Sequence, residues 1–195
     1  MFNNYPNKFR GSLTGTVRNF ARRFWQKSPD HRGTPESPGR TVTLVPEKDA
    51  VVWGIAFKVP EEHVVATKAY LDHREKAGYE NVSVMFQPDD PNIEPFNVEV
   101  YMSIDATSEH HAGPANIDEI ANIVIRSHGP SGPNIEYVLR VALILREKGS
   151  HVPDEHVFAL EKRVLELSKE NKLGVEILRK LGYSEMGDLA EAVEK

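Results

Sequence analysis

The stretch Asp72-His-Arg-Glu-Lys-Ala-Gly-Tyr79 is where a helical pattern gives way to a strand-like one, and the fold can be predicted outward from it. A run with apolar residues at helical spacing follows Pro60, and Asn81-Val-Ser-Val-Met-Phe86 has the composition of a strand. Gly78 is of the residue type at which helices commonly end. The chain is therefore predicted to pass from helix to strand within this stretch.

Glu75 is the best placed candidate for chemistry in this junction. A carboxylate at the end of a helix can point into a cleft, where burial raises a carboxyl pKa and makes the group a usable proton carrier. The pattern alone favours the plainer interpretation, a charged last helical turn with Glu75 in solvent, because perturbed carboxylates are a small minority. Both interpretations stay open at this point.

The composition excludes several classes of protein. The chain has 195 residues, of which 39% are hydrophobic and 27% charged, as expected for one soluble globular domain with or without a tail. It has no cysteine, which excludes a disulfide scaffold, a thiolate metal site and a cysteine nucleophile. No apolar run approaches the roughly 20 residues of a membrane span, and the N-terminus lacks the layout of a secretory signal. A cytosolic protein is predicted, and the net charge of −5 argues against a general nucleic-acid binder.

The order of predicted elements defines the fold class. Strands come first, with one helix inserted, and helices follow, which predicts an α+β domain with a mainly antiparallel sheet or a small barrel. Pro46-Glu-Lys-Asp-Ala50 is short enough to be the turn of a hairpin between two strands. Asn116 and Asn134 are predicted to cap helices. The predicted organisation is a poorly ordered arm over 1–14, one domain over 15–172 and a helical tail over 173–195.

Two other patterns could carry a ligand. Gly129-Pro-Ser-Gly132 lacks the lysine of a phosphate loop, so it is either a turn between helices or, with the helix start at Asn134, an anion site built from backbone amides. Eight histidines are present without an H-E-x-x-H pattern, which favours structural or surface histidines over a metal site.

A basic strand near the N-terminus contains interleaved aromatic residues. It has three interpretations: a half-buried strand with its charges in solvent, a platform for single-stranded nucleic acid, or a cationic wall around a small polyanionic substrate. Its basic residues, with those beside it, are Arg10, Arg18, Arg22, Arg23, Lys27 and Arg32, and the interleaved aromatic residues are Phe20, Phe24 and Trp25.

Short motifs in a fixed order carry a family resemblance. They are Arg22-Arg-Phe-Trp-Gln26, Asp30-His-Arg-Gly-Thr-Pro35, Pro38-Gly-Arg40, Val42-Thr-Leu-Val45, Trp53-Gly-Ile-Ala56, Tyr70-Leu-Asp72, Arg74-Glu-Lys76, Gly78-Tyr79, Gly113-Pro-Ala115, Gly129-Pro-Ser-Gly132 and Glu136-Tyr137. From about Gly15 to Leu167 the chain closely resembles the ChaC family of glutathione-specific γ-glutamylcyclotransferases. The resemblance implies a small mixed or antiparallel β-barrel surrounded by helices, and conversion of glutathione to 5-oxoproline and Cys-Gly without a cofactor or metal.

The resemblance also assigns expected roles. The glutamate of the family's R-E-K motif falls on Glu75, which it implies to be the general acid/base. The family's tyrosines fall on Tyr79 and Tyr137, which it implies to line the substrate pocket. Glutathione is the implied partner, with no nucleic acid and no membrane.

The start of the chain departs from the family pattern. Members begin with a strand and a Y-G-S-L loop that holds the γ-glutamyl group, and Gly11-Ser12-Leu13 lies too close to Phe24 to replace it. The strand and loop are therefore expected to be missing. Three interpretations follow: an active enzyme in which other residues replace the loop, a weak or inactive truncated form that binds a ligand or partner, or a nucleic-acid-binding module built on the basic strand.

Overall fold

The structure is a computed structural model that describes residues 11–75, 79–103 and 106–183. The predicted helix stop at Gly78 lies outside these residues, as do residues 1–10 of the predicted arm and 184–195 of the predicted tail. The described strands are β1 (Ser12–Ser28), β2 (Gly39–Phe57), β3 (Glu80–Pro88), β4 (Phe96–Met102), β5 (His128–Gly129) and β6 (Gly132–Pro133). The described helices are α1 (Val64–Arg74), α2 (Ile117–Val124), α3 (Asn134–Lys148), α4 (Glu155–Asn171) and α5 (Val175–Lys180), and a 3-10 turn, Glu61–His63, precedes α1.

This content confirms the predicted α+β class. The main sheet has four strands in the order β2-β1-β3-β4, and β3 pairs antiparallel with both β1 and β4. The β1–β3 ladder includes the pair Gly15 and Pro88. A Cβ at Gly15 would overlap the carbonyl oxygen of Gln87 and the ring of Phe86, so this close strand contact requires glycine.

The implied closed barrel is not found. A barrel needs a backbone ladder between its first and last strands, and no such ladder joins β2 to β4 in the part of the chain that the structure describes. The two outer strands are linked instead through a side chain, because the Ser103 N–H donates to the Thr43 hydroxyl at 2.8 Å. The sheet is therefore open.

The predicted hairpin in the second strand is wrong. Gly39–Phe57 is one continuous strand of 19 residues, and the turn formers lie inside it. Asp49 adopts a φ of 66° there, and its N–H donates to the side chain of Asn19, which has a φ of 64° in β1. Asn and Asp tolerate this left-handed conformation, so the two neighbouring strands absorb the irregularity without reversing direction.

The contacts within the chain define two compact units. Unit 1 comprises the described residues of Met1–Gln26, Val42–Gly113 and Leu145–Asp154, and unit 2 those of Lys27–Thr41, Pro114–Ile144 and Glu155–Lys195. The core of unit 1 lies on the sheet and contains Val17, Ala56, Val84, Phe86, Phe96 and Met102. The core of unit 2 is helical and contains Ile120, Val124, Val138, Leu139, Leu160 and Val164, each fully buried.

Local capping explains where the helices of unit 2 begin. The side chain of Asn116 accepts a hydrogen bond from the N–H of Glu119 at 2.8 Å, which confirms the predicted cap of α2. α3 begins at Asn134, as predicted. The Asn134 amide accepts from the N–H of Arg40 and donates to the Arg40 carbonyl, so it fastens the loop that precedes β2.

None of the described helices combines the length and the apolar character needed to cross a bilayer.

Candidate active site

Glu75 caps the C-terminal end of α1. Its N–H donates to the carbonyl of Leu71 at 2.8 Å, and only 18% of its side chain is exposed. The Nε and Nη2 atoms of Arg74 both contact Oε1 of Glu75 at 2.7 Å. Oε2 has no hydrogen-bond partner among the described residues. One carboxylate oxygen is thus held by the neighbouring guanidinium group.

Glu75 continues a stripe of α1 that faces a cavity. Val64, Lys68, Leu71 and Glu75 are spaced by four, three and four residues, which places them on one helical face. The first three line a cavity of about 640 Å³ in unit 1. This volume lies within the range of small-molecule sites. Glu75 is not itself a lining residue and lies one turn beyond Leu71, at the end of the stripe.

The walls of this cavity are mainly apolar and come from the sheet. The apolar lining side chains from the strands are Val17, Leu44, Val52, Ile55, Ala56, Phe57, Phe86, Val98 and Val100, together with the ring of Trp53. Among the strand residues that line it, Asn81 and Tyr101 contribute uncharged polar side chains and lie directly opposite each other on β3 and β4. The cavity therefore combines an apolar interior with a polar wall, as small-molecule sites generally do.

Tyr101 connects this polar wall to the helix that carries Glu75. Its hydroxyl donates to the carboxylate of Asp72, one turn before Glu75. Burial raises the pKa of Tyr101, and so do the hydrogen bond to Asp72 and the negative charge of Glu75, while Asn81 lowers it in part. Tyr101 is therefore a neutral hydroxyl donor at physiological pH, close enough to Glu75 to sense its charge.

Tyr101 is a residue of this site that the sequence pattern does not predict. Strand alternation places it on the same side of β4 as Asn97 and Glu99, which is the side expected to face solvent. The available signal was a tyrosine within an alternating strand, since a partly buried tyrosine hydroxyl needs a polar partner. That partner, Asp72, lies 29 residues away, and no spacing rule connects the two positions.

Tyr79 lies in unit 1 between α1 and β3 and is half-buried. Its hydroxyl donates to the carbonyl of Val42 on β2 at 3.0 Å. It does not line the 640 Å³ cavity. The observed contact ties Tyr79 to the backbone of a neighbouring strand, and its role toward substrate stays a prediction.

Tyr137 belongs to unit 2, on the first turns of α3. The guanidinium of Arg32 lies over its ring at 5.5 Å, and Arg32 also donates to the carbonyl of Pro133 at 3.4 Å. A cation over an aromatic face is a favourable contact that orders both side chains. Since Glu75 and Tyr79 belong to unit 1, the expected grouping of the three residues also stays a prediction.

The basic strand makes internal contacts. Arg22 pairs with Asp154 at 2.8 Å and donates to the carbonyl of Trp53 at 2.7 Å. Arg23 pairs with Glu47 at 2.6 Å, and Phe24 is fully buried. These two guanidinium groups and this ring are thus engaged within unit 1, which disfavours a stacking platform for nucleic acid.

The turn between α2 and α3 also uses its backbone groups internally. The N–H of Ser131 donates to the carbonyl of His31, and the N–H of Asn134 donates to the carbonyl of Ser127. These two amides are therefore not available to an anion. No group of three or more His, Asp or Glu side chains arranged to hold a metal ion occurs in the described ranges.

Comparison with known proteins places the chain in a family. The sequence model of the family described as ChaC-like protein matches residues 1–167. The glutathione-specific gamma-glutamylcyclotransferase 1 of Danio rerio is 38% identical over 162 residues, which cover 81% of each chain. The protein of the same name from Homo sapiens is 36% identical over 156 residues, covering 78% of this chain and 69% of the human protein. The glutathione-specific gamma-glutamylcyclotransferase of Schizosaccharomyces pombe is 32% identical over 176 residues, covering 82% and 85%.

A solved structure shares the fold. The crystal structure of the selenomethionine-labelled gamma-glutamyl cyclotransferase specific to glutathione from yeast matches with a TM-score of 0.73 and 27% identity, over 85% of this chain and 92% of the yeast chain. The family match extends over most of the sequence, and the fold and three relatives above 30% identity agree with it. The chain therefore belongs to the ChaC-like protein family.

Proposed function

We propose that this protein is a γ-glutamylcyclotransferase that converts glutathione to 5-oxoproline and Cys-Gly. Its support is membership of the ChaC-like family together with relatives whose names specify this activity on glutathione. The structural observation that carries the proposal is the carboxylate of Glu75, which ends the cavity-facing stripe of α1 with one oxygen unoccupied by described residues.

The reaction needs one group to move a proton between two nitrogens. The α-amine of glutathione attacks the γ-carbonyl carbon, a C–N bond forms, and the amide bond to cysteine breaks. An α-amine with a pKa of about 8 is mostly protonated at pH 7, so it must lose a proton before it attacks. Oε2 of Glu75 accepts that proton and returns it to the departing cysteine nitrogen. No water is consumed, and the substrate supplies both nucleophile and electrophile.

The cavity contributes by holding the substrate in a folded conformation. Attack within one molecule avoids the entropy cost of bringing two reactants together, a saving of up to about 7–11 kcal/mol in favourable cases. A fixed hydrogen-bond donor to the developing oxyanion adds roughly 3–4 kcal/mol. The Tyr101 hydroxyl on the cavity wall has one proton, which it donates to Asp72, so its proposed part is to position α1.

Tyr79 and Tyr137 remain the candidate substrate-binding residues. Tyr79 would act indirectly, by fixing the backbone at Val42. Tyr137 would present a ring already ordered by Arg32. The chemistry requires no cofactor, because the tethered amine and carbonyl need only proton transfer and charge stabilisation.

The cytosol is the proposed compartment of this activity. Glutathione helps to keep cytosolic thiols reduced, so the substrate is at hand there. We propose neither a nucleic-acid nor a membrane partner, in keeping with the internal pairing of Arg22 and Arg23.

Glu75→Gln tests the proposed acid/base. The amide keeps the size of the side chain and cannot carry the proton, so 5-oxoproline release is expected to fall by about 10²–10⁴-fold. Glu80→Gln is the matched control, because Glu80 is an exposed glutamate at the start of β3 and should retain full turnover. Circular dichroism and the thermal midpoint verify that both variants fold. If Glu75→Gln releases 5-oxoproline at the wild-type rate, Glu75 is not the acid/base. If the wild-type chain itself releases none, the proposed activity is refuted.

A further inference from the structure

The cavity of unit 1 is lined by three cationic side chains, and they differ in their partners. Arg22 is engaged by Asp154 at 2.8 Å, with 13% of each side chain exposed. Lys58 follows the end of β2, and Lys68 lies on α1. The ammonium groups of Lys58 and Lys68 have no ion-pair partner among the residues that the structure describes, and only Lys68 lies on α1. Lys68 is therefore a cation available to a ligand, on the helix that carries the proposed base.

Lys68 and Glu75 have a defined separation along α1. They are seven residues apart, two turns of helix, so they share one face and are separated by about 10.5 Å along the axis. Leu71 lies between them on the same face and lines the cavity. A ligand that contacts both residues therefore lies along the helix, against the apolar surface of Leu71.

Glutathione has matching dimensions. From its γ-carbonyl carbon to its terminal carboxylate there are two residues, Cys and Gly, which span at most about 7 Å when extended. An ion pair adds about 3 Å between the carboxylate and an ammonium nitrogen. Extended glutathione thus spans about 10 Å from its γ-carbonyl to a paired ammonium nitrogen, which matches the rise between Glu75 and Lys68 along α1.

The charges that line the cavity favour such a partner for a bound carboxylate. A carboxylate that enters a mainly apolar cavity loses solvation and needs a cation in return. Glu61 and Glu99 also line the cavity, and they repel a carboxylate that is not paired. We propose that Lys68 binds the C-terminal carboxylate of glutathione and thereby makes the enzyme selective for γ-glutamyl peptides with a free terminal carboxylate. The inference rests on the proposed cyclotransferase activity.

The experiment combines variants of Lys68 with a change in the substrate. Glutathione and its glycine monoethyl ester are compared, since the ester keeps the reacting γ-glutamyl group and lacks the terminal charge. The wild-type protein is expected to show a KM about tenfold lower for glutathione than for the ester. Lys68→Met is expected to raise the KM for glutathione about tenfold and to leave kcat within about twofold. The KM values for glutathione and for the ester should then be equal. Lys68→Arg should restore most of the preference, because it restores the charge.

Two further variants separate Lys68 from a general charge effect. Lys48→Met removes a cation from an exposed part of β2 outside the cavity and should leave the preference intact. Lys58→Met removes the other cavity lysine and should also preserve the ratio of the two KM values. A preference that survives in Lys68→Met, or one that disappears in Lys58→Met, overturns the assignment to Lys68. A wild-type chain that releases 5-oxoproline from neither substrate overturns the proposed function itself, which is a distinct outcome.

Discussion

The hydroxyl of Tyr101 on β4 donates a hydrogen bond to the carboxylate of Asp72 on α1. This bond matters because none of the 11 residues of α1, all of them described, is buried. The helix therefore has little apolar packing to fix its position on the sheet. Asp72 precedes Glu75 by one turn, so the bond holds the end of the helix on which the proposed base lies.

Tyr101→Phe removes this bond while keeping the ring. We expect kcat to fall by about 10- to 100-fold, because a misplaced base weakens the transition state more than the ground state. The KM for glutathione should change less than threefold. General destabilisation would not lower kcat while leaving KM nearly unchanged. Steady-state kinetics of 5-oxoproline release measure both values.

Asp72→Asn provides the matched comparison. It alters the other partner of the same bond, so the double variant should lose little more activity than Tyr101→Phe alone. Fully additive losses in the double variant would show that Tyr101 and Asp72 act independently.

The raised pKa of Tyr101 predicts a specific pH dependence of stability. Burial, Asp72 and Glu75 favour the neutral phenol in the folded protein. A raised folded pKa gives a stabilising contribution that is complete below the unfolded value of about 10 and is lost as pH rises through the folded value. The free energy of unfolding of wild type relative to Tyr101→Phe should thus be constant from about pH 6 to 9 and should decline above about pH 10. Urea denaturation across this range measures it, and a difference that grows with pH would contradict the assignment.

Asp89 anchors the indole of Trp53, which lines the cavity. The Nε1–H of Trp53 donates to Asp89 at 3.1 Å, and His151 approaches the other carboxylate oxygen at 3.2 Å. Burial by itself would raise the pKa of Asp89, but hydrogen bonds with Thr14, Trp53 and His151 outweigh it and hold the pKa below its usual value.

Asp89→Asn is therefore expected to destabilise the protein by about 1–2 kcal/mol near pH 7, since hydrogen bonds to a charged group are lost. The lowered pKa means that the carboxylate stabilises the fold above about pH 4 and loses this effect as pH falls through the folded value. The difference in the free energy of unfolding between wild type and Asp89→Asn should consequently become smaller at acidic pH. Chemical denaturation at about pH 7, 5 and 3 tests this, and a gap of equal size at every pH would speak against a charge effect.

Gly129 packs against the loop that precedes β2 in unit 2. A Cβ there would overlap the carbonyl of His31 and lie 2.6 Å from the backbone nitrogen of Gly33. Gly129→Ala should therefore cost about 2–3 kcal/mol, because backbone atoms cannot move aside as a flexible side chain can. Gly54→Ala is the control, because a Cβ at Gly54 would meet no atom within 4 Å and the change should affect stability far less. Gly182→Ala is unsuitable as a control, because Gly182 has a φ of 80°, a conformation in which alanine is strained. Thermal or urea unfolding compares Gly129→Ala with Gly54→Ala, and equal midpoints would refute the packing interpretation.

Local patterns predicted the helices and the α+β class well. The spacing of apolar residues and the cap at Asn116 identify the helices of unit 2, because these signals lie within a few residues of one another. The hairpin was predicted wrongly because Pro46 and Asp49 are turn formers, and only the neighbouring Asn19 shows that the strand accommodates them. The open sheet could not be predicted, because closure depends on ladders between distant strands.

The residues of the candidate site also differ in whether local sequence patterns predict them. Glu75 could be nominated because its position at a helix end and its motif are local properties. Tyr101 could not, because its role comes from Asp72 on a different element. The contact of Arg32 with Tyr137 joins residues 105 positions apart, and sequence spacing gives no hint of it.

The lack of buried side chains on α1 has a consequence for local unfolding. Segments with few apolar contacts open at a lower free energy than the core around them, and hydrogen exchange reports this difference residue by residue. The backbone amides of α1 are thus expected to exchange with deuterium well before those of α4, which buries Val157, Leu160, Val164 and Leu167. On the proposed role of Glu75, a bound tripeptide is expected to order this segment and so to slow the exchange of its amides.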